Sequence, residues 1–108
     1  MTTMPSVLHQ PRVVWDAALA FVAMAETPHH ESFDAFAGQV HQRLGSETYE
    51  ALRVTHGKLL DNVRRTWGDR RAVDIERGAW RVRMEELLRA RPDLTDEVLE
   101  LTSLVPLH

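Results

Sequence analysis

Apolar residues in this chain recur chiefly at every third or fourth position, and four breaks cut the pattern into five blocks. The breaks are Thr27-Pro28, Gly45-Ser46, Gly68-Asp69 and Arg91-Pro92. A 3.6-residue period interrupted by Gly and Pro is the pattern of amphipathic helices joined by short turns, and it leaves no room for strands. No Asn-Gly or Asp-Gly hairpin signal and no internal repeat occurs. The fold class expected is all-α: a bundle of four to five mostly antiparallel helices. With 108 residues the chain suffices for one domain. Residues 1–10 lack a period and read as an N-terminal arm, with a single helical domain over 11–108.

The first helix is expected from Pro11 or Arg12 to Glu26, because Pro suits a first helical turn. Val13, Val14, Ala17, Ala18, Phe21, Val22 and Ala25 form its wide apolar face, with Trp15, Leu19 and Met24 off it. A helix apolar nearly all round is either central in its bundle or shared with a partner. The second helix carries Phe33, Phe36, Ala37, Val40 and Leu44 and stops at Gly45; Thr27 is its expected cap, or Ser32 if His29 and His30 lie in a loop. The third, capped by Ser46, runs to about Trp67 with a seam of Tyr49, Leu52, His56, Leu59 and Val63, widened by Leu60 and Trp67. Gly68 supplies its stop and Asp69 the next cap. The fourth, about Arg70 to Ala90, buries Val73, Trp80, Met84, Leu87 and Leu88, leaving Ile75, Ala79 and Val82 on a flanking face. Pro92 breaks it, and Leu94, Val98, Leu101 and Val105 make the stripe of a fifth helix.

Several function classes are excluded or left without support. There is no Cys, so disulfide frameworks, thiolate metal sites and Cys nucleophiles are absent. The longest uninterrupted apolar run, Ala17 to Ala25, is nine residues, far short of the roughly 20 a membrane span needs. Residues 13–25 imitate a secretory leader ending in Ala23-Met24-Ala25. Asp16 interrupts that stretch and only Arg12 precedes it, so it reads as a buried helix and a cytoplasmic location is expected. No Gly-x-Ser-x-Gly elbow, phosphate loop or His-Glu-x-x-His motif is present, and no constellation marks an enzyme. His30 and Asp34, one helical turn apart, are the best metal-ligand pair, but a His at a helix flank is more often structural, and no cofactor is expected.

Charge is unevenly distributed. Residues 1–52 carry a net −4, residues 53–91 a net +5 and residues 92–108 a net −4, within an overall −3. The plainer explanation is complementarity between basic and acidic helices of one bundle. The sharper one is an anion-binding face of Arg64, Arg65, Arg70, Arg71, Arg77 and Arg81, which would take nucleic acid or another polyanion. A helix-turn-helix window places Val40 and Leu44 before Gly45, with Ala51 and Val54 after it. It puts His41 where a small residue is needed and would aim Glu47 and Glu50 at phosphates that repel them.

Residues 79–104, AWRVRMEELLRARPDLTDEVLELTSL, resemble the end of short helical proteins of actinobacteria. The shared pattern is a Trp-led amphipathic helix, a Leu-Leu pair, a Pro-Leu turn and spaced Leu or Val, here Trp80, Leu87, Leu88, Pro92, Leu94, Val98 and Leu101. That resemblance implies an adaptor accompanying larger effector or signalling proteins, and it carries no site residues. The residues themselves point the same way. Three Trp in a small chain, an almost uniformly apolar first helix and no catalytic constellation argue for a protein-interaction module. A homodimer through the first helix is expected, with Trp15, Leu19, Phe21 and Val22 at the interface.

Overall fold

The computed structural model describes residues 5–106, with side chains from residue 11 onward. Five α-helices follow in order: α1 (Pro5–Glu26), α2 (His30–Leu44), α3 (Ser46–Thr66), α4 (Arg70–Ala90) and α5 (Thr95–Ser103), with a single 3-10 turn at Pro92–Leu94 before the last. No strand occurs among the described residues, and the chain is an all-α bundle.

The first helix is central: it packs against α2, α3, α4 and α5. Ala17, Ala18, Ala20, Phe21, Val22 and Ala25 are all fully buried. Small alanines let neighbouring backbones approach, and Phe21 fills the space between them. Its ring meets Phe36 edge-on at 5.2 Å and Trp80 at 5.3 Å. Of the two roles open to an all-round apolar helix, the bundle's own centre is the one realised, so Phe21 and Val22 are core residues and not surface ones.

Three expected boundaries move. The helix starts at Pro5, six residues before Pro11, which lies inside it. Proline at an early helical position costs nothing, because that N–H has no intrahelical partner anyway, whereas Pro11 forgoes one bond within α1. Residues 5–10 of the expected arm are therefore helical, and residues 1–4 lie outside the described residues. The second helix begins between its two expected caps. Thr27 Oγ1 accepts the His29 N–H at 3.3 Å, which turns the chain, and His30 opens the helix. Ser46 is the first residue of α3 and makes no capping bond; Gly45, at φ +101°, holds the cap position that follows α2 and precedes α3.

The fourth helix buries Val73, Trp80, Met84 and Leu88, and Asp69 caps it by accepting the Arg71 N–H at 3.0 Å. Val98, Leu101 and Val105 close the core from the C-terminal side. Arg43 of α2 clamps α5 by donating to Glu97 at 2.8 Å and Glu100 at 2.7 Å; these bonds hold its guanidinium above its ordinary pKa. Arg53–Asp34 and Arg70–Glu26 likewise join basic α3 and α4 to acidic α2 and α1, so part of the charge segregation serves complementarity between helices.

Candidate interaction surface

The third helix buries only part of its apolar seam. Leu52, His56 and Leu59 point inward as expected, but Thr48 and Thr55 join them, while Val63 and Trp67 leave the core altogether. The polar residues are matched. Trp80 Nε1 donates to Thr55 Oγ1 at 2.8 Å, and that hydroxyl reaches Glu76 at 3.4 Å. His56 Nδ1 lies 3.0 Å from the carbonyl of Ala25, which can only accept, so Nδ1 carries the proton. His56 thus caps a buried carbonyl at the end of α1 and stacks on Phe33 with ring centres 3.7 Å apart. Its Nε2 is buried with no partner among the described residues.

The turn from α3 to α4 is unusual. Trp67 adopts the left-handed conformation (φ 62°, ψ 25°), its N–H donates to the Val63 carbonyl at 3.0 Å, and Gly68 follows at φ +90°. A glycine ordinarily takes the first of these positions, because a Cβ there is crowded. Side chains around it fix the turn. Thr66 Oγ1 donates to the Asn62 carbonyl at 2.8 Å and accepts the Asp69 N–H at 2.9 Å, and Asn62 Nδ2 donates to the Asp69 carbonyl at 3.2 Å. The result is an indole 94% exposed at the turn between α3 and α4.

On α4, Ile75 and Val82 face away from the core. Ile75 precedes Met84, and Val82 follows Val73, by nine residues each; at about 100° per residue that is two and a half turns, the opposite side of the helix. They are 68% and 43% exposed. Between them lie Gly78, beside which a Cβ would meet nothing within 4 Å, and exposed Ala79. The fourth helix is therefore apolar on two faces, and only one is covered.

Beside this outer face, α3 and α4 diverge into an open groove. Near the turn it forms a cleft of about 290 Å³ between Lys58, Asn62, Ala72 and Ile75. A middle section of about 220 Å³ is bordered by Val54, Ala79 and Arg83, with Trp80 and Thr55 at its base. At the far end a notch of about 440 Å³ lies between Leu44, Thr48, Leu87, Ala90 and Leu94. Sequence periodicity had placed Ile75, Ala79 and Val82 on a flanking face but put Trp67 in the core. The signal against that placement was its position directly before Gly68, where the helical register ends.

The remaining expected residues are dispersed. Trp15 is 44% exposed and Leu19 half-buried on α1, apart from the buried Phe21 and Val22 that were to join them. Of the six arginines considered for an anion face, five have a carboxylate within 4.0 Å: Arg65–Asp61, Arg70–Glu26, Arg71–Asp69, Arg77–Asp74 and Arg81–Glu85. Arg64 has none among the described residues. Asp34 bonds Arg53 rather than sharing a ligand with His30, and no three His, Asp or Glu side chains gather for a metal among the described residues. No helix among them is long and apolar enough to cross a membrane. Compared with protein-family models, curated proteins and solved structures, the chain finds no match.

Proposed function

We propose that this protein is a small cytoplasmic interaction module that acts by binding another protein, a second copy of itself included. The observation that carries this is the second apolar face of α4, Ile75 and Val82 on the side away from the core, with the exposed Trp67 in the turn before it. A monomer gains nothing from either. Exposed aliphatics on one helical face, next to an exposed Trp and several Arg, have the composition of a binding hot spot. The polyanion alternative draws on guanidiniums that mostly face carboxylates already, and surface pairs of this kind leave little net field to attract phosphate. Sedimentation equilibrium from sub-micromolar to tens of micromolar protein tests self-association. The mass should rise toward that of a dimer as concentration increases; a mass fixed at the monomer value throughout would overturn self-association.

A further inference from the structure

Along its outer face α4 presents Arg71, Ile75, Gly78, Ala79, Val82 and Glu86, that is, basic, aliphatic, small, small, aliphatic, acidic, with Arg89, paired to Glu85, beyond them. Measured from the midpoint between Gly78 and Ala79, each member has a counterpart at equal distance. At about 1.5 Å per residue, Ile75 and Val82 lie about 5 Å to either side, and Arg71 and Glu86 about 11 Å. A stripe so arranged is complementary to itself when run antiparallel. Ile75 would meet the Val82 of a second copy, Arg71 its Glu86, and the small pair would sit on the two-fold axis, where helices must approach most closely. Neither group is held firmly: the Arg71 side chain is almost fully exposed and its contact with Asp69 is long at 3.6 Å, and Glu86 has no cation within 4.0 Å among the described residues.

The same axis relates two further features. Arg70, where α4 begins, stands about 13 Å from the midpoint with the turn holding Trp67 just beyond it, and Ala90 stands about 17 Å on the other side. Trp67 ends α3, so it lies on the α3 side of α4, and so does the notch between Leu44, Thr48, Leu87 and Ala90. Two-fold antiparallel pairing brings like sides together, which sets each indole against the other copy's notch. Arg83 and Arg91, which also line it, can add cation–π attraction.

We infer that two copies of the chain pair antiparallel through the outer face of α4, with each Trp67 seated in the other copy's notch beside Ala90. This rests on the self-association proposed above and assigns its face, its register and its anchor. It also accounts for a Trp kept in a backbone conformation that favours glycine.

Charge exchange tests the register. Dissociation constants of wild type, Arg71→Glu, Glu86→Arg and the double variant are compared by sedimentation, with circular dichroism confirming that each is folded. Each single change acts twice across the axis and turns attraction into repulsion, so about a tenfold or greater weakening is expected. The double variant, and an equimolar mixture of the two single variants, should recover wild-type affinity. Trp67→Gly should weaken pairing by roughly tenfold to a hundredfold. A wild-type dimer indifferent to these changes, or one that the double variant fails to restore, overturns this arrangement and leaves self-association standing through another face. A wild type that never leaves the monomer overturns both.

Discussion

Replacing Trp67 with Gly should make the folded chain more stable while making it associate less. In the left-handed region an L-residue is disfavoured by about 1–2 kcal/mol. Trp67 sits there at φ 62° and, being 94% exposed, has almost no burial to lose. Glycine removes the steric cost but adds about 0.5–1 kcal/mol of chain entropy to the unfolded state. The turn's hydrogen bonds survive the change. The bond to the Val63 carbonyl is made by the residue's own N–H, and those around it come from Asn62, Thr66 and Asp69. The net expectation is a gain of about 0.5–1 kcal/mol, or about 2–6 °C in melting temperature for a domain of this size. The measurement is urea unfolding followed by far-UV circular dichroism at protein concentrations low enough that both variants are monomeric. Trp67→Asn, which also tolerates the left-handed region, should gain in the same direction. A loss of about 1 kcal/mol or more in Trp67→Gly would refute the reasoning, because it would require packing that an exposed indole does not have. Improved stability together with weakened association would mark Trp67 as a residue held at a cost to the fold for the sake of binding.

Two more outcomes follow from the geometry. Thr55→Val keeps the shape of the side chain but strands the buried Trp80 Nε1–H, so the chain should lose about 1–3 kcal/mol in equilibrium denaturation; a loss under about 0.5 kcal/mol would mean the indole finds another acceptor. The hydrogen bonds from Arg91, at 3.0 and 2.8 Å, hold the Asp93 carboxyl below its ordinary pKa. A depressed carboxyl stabilises the fold fully above the usual aspartate range and loses that contribution as pH falls through its folded value. NMR titration of Asp93 should show a low midpoint that Arg91→Gln returns to the ordinary value, and an unmoved midpoint would assign the depression to another cause.

The helical segments and most of their inward faces were legible in the sequence. Val73, Trp80, Met84 and Leu88 are buried on α4 as their spacing requires, and Asp69 caps that helix, because period and capping are properties of local backbone geometry. Local rules also flagged Ile75, Ala79 and Val82 as lying off the main core face. They failed at the ends. Pro11 can stand inside a helix as well as begin one, and a three-four spacing that reaches Trp67 continues past the point where the helix itself stops.

What the sequence by itself determined is the helical class, the breaks between helices and the polarity of each face, since these depend on residues within a turn or two of one another. Which apolar faces are covered was decided only by the tertiary arrangement. The first helix has Phe21 and Val22 fully buried because four other helices surround it, and α4 keeps Ile75 and Val82 outside because one helix can present only one side to a core. His56 shows the same division. Its place in an apolar seam was readable, but its purpose is a hydrogen bond to a carbonyl in another helix, 31 residues earlier in the chain. Periodicity records how a helix is two-sided; the packing of the other helices settles which side they claim and which is left for a partner.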